Sequence, residues 1–333
     1  MHIASASNDS AILFGRTLYV DSVRNISLLP IRFHLRAQES IHFPPNKAAN
    51  VVRGGFGTVL RQIACHADCQ DTKKCPNREI CPYAEVFEPK KTVGPSGLAD
   101  LPRPFLFRAR HLDGVTIARS AEFYFDVHLF DYRPIIVAYF VAAFRELATS
   151  GMGPRRGSAE LVRVTGVTAD GNPSGPIYDG SRLAETLPAA LVLSLEPALP
   201  EISRVVIKFL SPIELNKHHA FNEPPRFRDL IGRIRDRIGN LRLLYGDGPL
   251  AIDFRALGER AEHIKVLSAQ IQSASVERQS SRTHQRHSIG GFIGHVEYEG
   301  ALAEFLPYLE AARWTGAGRH AVWGNGEIEV VAG

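Results

Sequence analysis

The 333-residue chain has few cysteines, little net charge and no long apolar run. No stretch approaches the roughly 18–20 consecutive apolar residues of a membrane-spanning helix, so no membrane role is expected. The N-terminus lacks a basic region followed by an apolar core and a small-residue cleavage site. No secretory signal is read there, and the cytoplasm is the expected compartment. In that reducing setting the four cysteines are not expected to pair as disulfides. The formal charge is only +4, with an apolar fraction of 44%. That composition supplies two ordinary cores, and the length fits two domains of typical size.

What the chain does have is glycine in clusters. Gly316-Ala317-Gly318-Arg319-His320 and Gly324-Asn325-Gly326 lead into a strand-like run, Glu327 to Val331. Glycine reaches positive φ cheaply and lets another backbone approach, so its amides can face a phosphate. Gly316, Gly318, Arg319 and His320 are therefore candidate phosphate contacts, against the plainer reading of a glycine hairpin before a strand. An echo lies at Gly151-Met152-Gly153-Pro154-Arg155-Arg156-Gly157, again before a strand-like run from Ala159 to Val164. Arg155 and Arg156 join the candidate set.

The likeness extends upstream. Ile31 to Arg36 alternates as a half-buried strand does and leads through Pro44-Pro45 into a helical stretch from Lys47 to Ile63. Val205 to Leu210 reads as a second such strand. After Pro224-Pro225, Leu230, Ile231, Ile234, Ile238 and Leu241 mark an amphipathic helix from Phe227 to Leu244. Each half thus reads strand, proline turn, helix, further strands, glycine–arginine loop, strand. The seam, 169–188, is dense in turn formers, which gives domains at 1–168 and 189–333 joined by that linker.

The basic residues are mostly arginine, which forks onto phosphates and stacks on bases. Arg233 and Arg237 stand on the second helix among further arginines and the acidic Asp229 and Asp236. A later polar segment holds Arg282, His284, Arg286 and His287. Nucleic-acid binding and solvated ion pairing are the two readings of both groups. Phe123, Tyr124, Phe125 and Phe130 read better as core than as a base-stacking platform.

All four cysteines fall within 65–81: Cys65, Cys69, Cys75 and Cys81, with three, five and five residues between them. Converging thiolates at short spacing suit a tetrahedral structural zinc, although the spacing is not that of paired two-residue knuckles. Reduced structural thiols are the alternative, and an iron–sulfur cluster fits less well.

The run Val52-Arg53-Gly54-Gly55-Phe56-Gly57-Thr58, the cysteine segment and Cys81-Pro82-Tyr83-Ala84-Glu85-Val86-Phe87 resemble the first domain of the CRISPR-associated RAMP endoribonucleases that process precursor crRNA. Gly290-Gly291-Phe292-Ile293-Gly294, Phe305-Leu306-Pro307-Tyr308-Leu309 and the tail glycine loop resemble the second half of that family. The resemblance covers roughly residues 30 to 333. It implies an α+β chain of two tandem ferredoxin-like (RRM-like) domains, each an antiparallel sheet with helices on one face, the first carrying 65–81 as a cysteine-rich insertion. It also implies cleavage within repeat RNA by attack of the substrate's 2′-hydroxyl, without a catalytic metal. The expected ends are a 2′,3′-cyclic phosphate and a 5′-hydroxyl, and the expected partners are repeat RNA, crRNA and other CRISPR effector subunits. A non-catalytic crRNA-binding subunit is the alternative, and a zinc-stabilised protein-binding scaffold is a third reading.

Such chemistry needs a base, an acid and a cation beside the phosphate. Histidine suits the first two roles because it titrates near neutrality. Of thirteen histidines, the resemblance favours those flanking the first helix: His66 just past its end and His42 just before the proline turn. Lys47, which opens the helix, is the candidate phosphate clamp, and Arg53 is a candidate RNA contact beside its glycines. The plain readings are a zinc ligand for His66, a surface turn for His42 and a solvated lysine for Lys47.

Overall fold

A computed structural model describes residues 24–65, 69, 72, 74–89, 101–197, 202–215, 223–275, 277–279 and 286–332. The first half opens with β1 (Asn25–Ala37), β2 (Ile41–His42), α1 (Ala48–Ala64) and α2 (Pro82–Phe87). There follow β3 (Phe105–Arg108), β4 (Thr116–Ile117), β5 (Glu122–Leu129), α3 (Pro134–Ser150), β6 (Ala159–Val167), β7 (Pro173–Tyr178) and β8 (Leu191–Ser194). The second half runs β9 (Arg204–Ile213), α4 (Phe227–Tyr245), α5 (Phe254–Ala261), β10 (Lys265–Ala274), β11 (Glu277–Gln279), β12 (Arg286–Ser288), β13 (Gly291–Glu299), α6 (Leu306–Thr315) and β14 (Ile328–Ala332).

Strand order is β3-β5-β1-β6-β7 in the first sheet and β10-β13-β9-β14 in the second. Both place the first strand of a βαββαβ unit centrally, between its third and fourth, and all the pairings are antiparallel. The two halves are ferredoxin-like repeats. Alternation along β1 and β5 buries Ile31, Phe33, Leu35, Phe123 and Phe125 under α1 and α3. Phe56 of α1 stacks on Phe140 and Phe144 of α3, with ring centroids 4.3 and 5.3 Å away.

The glycines of α1 allow this packing. A Cβ on Gly55 would lie 2.7 Å from Leu147, and one on Gly57 would lie 2.3 Å from the Phe87 ring. Glycine inside a helix costs about 1 kcal/mol against alanine, and here it admits α3 and α2 to close range.

The halves are not joined by a simple linker. Residues 169–188, expected as one, contain β7, which pairs with β6 and buries Ile177 and Tyr178. β8, expected in the second domain, pairs with the first turns of β1, Asn25 against Ser194. Ile26 and Leu28 of β1 belong to the core under the second sheet, while Leu29 to Ala37 belong to the first. One continuous strand thus runs through both cores. No described helix is long and apolar enough to cross a membrane.

Candidate functional site

The N-terminal end of α1 gathers the features that the sequence set apart. Pro44-Pro45 turns the chain from β2 into α1, so His42 and Lys47 flank one corner. His42 is exposed, and its Nδ1 lies 2.9 Å from Thr116 Oγ1 on the partner strand β4. That contact orients the ring of this exposed side chain. Lys47 is the half-buried N-cap. The first amides of α1 are held by Asp113, whose Oδ1 accepts from Ala48 N at 2.8 Å. Burial raises the Asp113 carboxyl, and the Ala48 and Lys47 amides oppose that rise.

The Gly151–Gly157 loop lies against the same corner. A Cβ on Gly153 would stand 2.7 Å from the His42 carbonyl oxygen, and one on Gly157 would stand 2.5 Å from that of Ser40. This loop turns tightly, with φ of 98° at Gly151, 75° at Gly153 and 54° at Arg156. Arg155 and Arg156 project from it, exposed. The loop thus brings Arg155 and Arg156 to the corner of His42, with Arg156 Nη2 donating to Ser150 O and the Glu39 carboxylate bound to Ser158 beside it.

The tail glycine loop approaches from the other side. Several of its amides bond within the protein: Ala317 N donates to Gly326 O, Arg319 N to Glu214 O and Gly326 N to Pro212 O, at 2.8 to 3.0 Å. Gly316 and Gly318 both have φ of 74°, and a Cβ on Gly318 would meet Glu214 O at 2.7 Å. The Arg319 side chain pairs with Glu214 at 2.8 Å, and His320 Nε2 lies 3.2 Å from the same carboxylate. Gly316, Gly318, Arg319 and His320, expected as phosphate contacts, thus lie in a loop that several backbone bonds and the Glu214 carboxylate hold to the second domain. The loop reaches across the molecule as a clasp, where a Cβ on Gly324 would stand 2.4 Å from Ala49 Cβ in the first turn of α1.

Arg53 is corrected. It is 5% exposed, with its guanidinium 4.5 Å from the centroid of Phe87 and 5.0 Å from that of Trp323. The space its neighbouring glycines leave is filled by Leu147 and Phe87, not by a ligand. Arg237 is corrected for a similar reason: its Nε donates to Thr315 O, and burial pulls its pKa down to about 10, helped by repulsion from Arg108. Arg108 Nη2 and His128 Nδ1 donate to the adjoining carbonyls of Arg313 and Trp314, at 3.1 and 2.8 Å. Three side chains from both domains thereby satisfy the last carbonyls of α6, as a helix C-terminus requires. Burial, then Arg108, holds the His128 pKa at about 3, so it is neutral and unsuited to proton transfer near pH 7.

Elsewhere on α4, Arg226 pairs with Asp229, Arg228 with Glu262 and Arg235 with Asp236, so the ion-pairing reading holds for much of that run. Arg233 is exposed on α4. Arg286 and His287 lie on β12, paired with Gln279 and Arg278 of β11. His66, Arg282 and His284 lie outside the described residues.

Unforeseen from the sequence was an exposed aromatic on the open face of the first sheet. Tyr124 has Arg32 4.2 Å above its ring and His111 stacked at 4.4 Å. Its parity on β5, opposite to Phe123 and Phe125, was the available signal. These residues line a cleft of about 500 Å³ between the two sheets, with Arg313, Trp314, Glu327 and Glu329 opposite. Arg32 is bound bidentately by Asp126 and Arg110 lies 3.4 Å from Glu327, so the cleft is of mixed charge.

The thiols of the cysteine segment adjoin one another. Cys65 hydrogen-bonds with Cys81 and Cys69, and Cys69 with Cys75. Burial and these neighbours push the Cys65 thiol up to about 12.

A family model described as the CRISPR-associated endoribonuclease Cas6 matches residues 207–328, and a model described as an N-terminal domain matches residues 26–190. No curated protein matches the chain. Among solved structures, a Cas6 product complex is 17% identical, covering 92% of this chain and 99% of that one with a TM-score of 0.52. A free Cas6 from Thermus thermophilus is 16% identical over 92% of this chain and 98% of its own, with a TM-score of 0.51. A partial Cas6-RT-Cas1–Cas2 complex is 11% identical over 94% of this chain and 47% of that chain, with a TM-score of 0.54. At such identities these structures establish the fold alone. The second half of this chain is thus similar to the CRISPR-associated endoribonuclease Cas6, and 92% of the chain shares the fold of solved Cas6 structures.

Proposed function

We propose that the chain is a Cas6-type endoribonuclease that cuts precursor crRNA within its repeats by attack of the substrate's own 2′-hydroxyl on the adjacent phosphate, with no catalytic metal. The observation that carries this reading is the corner at α1. An exposed histidine with its ring hydrogen-bonded to Thr116 stands there, beside the loop that carries Arg155 and Arg156 and five residues before Lys47.

The residues divide the chemistry as follows. With Thr116 Oγ1 holding Nδ1, His42 Nε2 is the acceptor for the 2′ proton. The 2′ oxygen then bonds to phosphorus as the bond to the 5′ oxygen breaks, and the departing 5′ oxygen takes a proton from solvent water to leave as the 5′-hydroxyl. Lys47 faces the charge that grows on the phosphoryl oxygens, where a cation is worth most. Arg155 and Arg156 hold the flanking backbone and fix its register without reading sequence.

The test is cleavage of the cognate repeat RNA in EDTA, beside the same RNA with a 2′-deoxy sugar at the cut. The expected result is cleavage of the first with cyclic phosphate and 5′-hydroxyl ends, and none of the second. Cleavage of the deoxy substrate, or dependence on added magnesium, overturns the mechanism. Tight binding without cleavage returns the chain to the role of a crRNA-holding subunit.

A further inference from the structure

Among the described residues between α1 and α2, only Thr72 and Cys81 are buried, and the one regular element is a three-residue 3₁₀ turn, Arg78–Ile80. Three hydrogen bonds tie that stretch to the helices on either side. Arg61 Nη2 donates to Cys69 O at 2.9 Å, tying the loop to the last turn of α1. The Thr72 hydroxyl donates to the Glu88 carboxylate, and Arg78 Nη2 to Glu88 O, tying it to the end of α2.

Helix packing then places the thiols. Phe87 of α2 covers Gly57 of α1. From that crossing, Cys65 lies eight residues on along α1 and Cys81 six residues back along α2. At about 1.5 Å per residue these are offsets of roughly 12 and 9 Å toward a common end, so the C-cap of α1 meets the N-cap of α2. Cys65 and Cys81 are those two caps, and their thiols touch. Cys69 touches Cys65 and Cys75 touches Cys69, so the four sulfurs form a chain of contacts. No three already converge as a ligand set. The contact still needed for a tetrahedron is that of Cys75 with the Cys65–Cys81 pair.

We propose that Cys65, Cys69, Cys75 and Cys81 hold one zinc ion as a tetrathiolate site that fastens the end of α1 to the start of α2. Four thiolates are a closed, structural donor set with no open position for chemistry. The site braces α2, whose Phe87 covers Gly57 and, with Trp323, encloses Arg53. It is therefore a support for the inter-domain clasp and remote from the cleavage corner at the other end of α1. Zinc suits this better than a disulfide pair, because three sequential thiol contacts leave no isolated couple.

The test is metal analysis of the full-length chain, purified reduced and without added metal, with thiol titration before and after a strong chelator. The expected result is about one zinc per chain and four thiols that react only once the metal is removed, as a closed four-sulfur site requires. Cobalt substitution should give the charge-transfer bands of a tetrahedral tetrathiolate. Cys75→Ser should weaken those bands and release zinc more readily while leaving the helix content intact. Four freely reacting thiols with no metal, a disulfide, or a visible-absorbing iron–sulfur cluster overturns the proposal. Should Cys75→Ser fail to fold, the cobalt spectrum of the unaltered chain decides the matter alone.

Discussion

Replacing Gly324 by alanine tests whether the tail loop is a clasp on α1. The residue has φ of +91°, and the added Cβ would stand 2.4 Å from Ala49 Cβ. Carbon atoms settle at about 3.5–4.0 Å, so the loop and the first turn of α1 must part by about 1 Å or more. A left-handed backbone costs a non-glycine residue about 1–2 kcal/mol. Overpacking adds about 1–3 kcal/mol, giving about 2–5 kcal/mol in all. At a few degrees per kcal/mol for a chain of this class, the thermal midpoint falls by roughly 5–15 °C. Gly171→Ala is the control, since its φ is +81° and nothing lies within 4 Å of the new Cβ. It bears the backbone term alone and loses only a few degrees, roughly. Because Ala49 adjoins Lys47, Gly324→Ala also slows cleavage, by up to about 10²-fold for an ångström of misplacement. Thermal melts of both variants, with single-turnover cleavage, decide the point. Equal melting of the two, with cleavage unaltered, refutes the clasp.

Three further expectations concern charge. His128 has a folded pKa of about 3, far below its unfolded value near 6.5. Its unfolded form takes up a proton that the folded form refuses, so stability is full above about pH 6.5 and falls below it by about 1.4 kcal/mol per pH unit. His128→Gln removes that contribution, and denaturant melts from pH 7 to 4 would reveal an unchanged slope if the account were wrong. Arg155→Ala and Arg156→Ala each weaken repeat-RNA binding and lower its salt slope by about 1, as loss of one phosphate contact does. Arg319→Ala, whose side chain is paired with Glu214, leaves the slope unaltered in the same titration.

Periodicity made the repeat legible. The alternation at Ile31 to Arg36 became β1, and the spacing of Leu230 to Leu241 became α4. What the sequence concealed was where backbone groups and charges go. The tail glycines imply available amides, but their acceptors, Glu214 O and Pro212 O, lie about a hundred residues away. Arg53 reads as a helix-surface charge, and only the approach of Phe87 and Trp323 buries it. The division of β1 between two cores goes with its pairing to β8, which no local pattern encodes. His42 was legible as a residue before a helix. The loop of Arg155 and Arg156 beside it was not, because Gly153 meets His42 only through the fold.

The most direct measurement of the central claim is single-turnover cleavage of the repeat RNA by His42→Ala, with binding measured on the same preparation. The account predicts a rate lowered by about 10²–10⁴-fold, the usual loss for a general acid or base, at retained affinity. A rate within about tenfold of the parent would contradict it and move the chemistry away from the corner of β2 and α1.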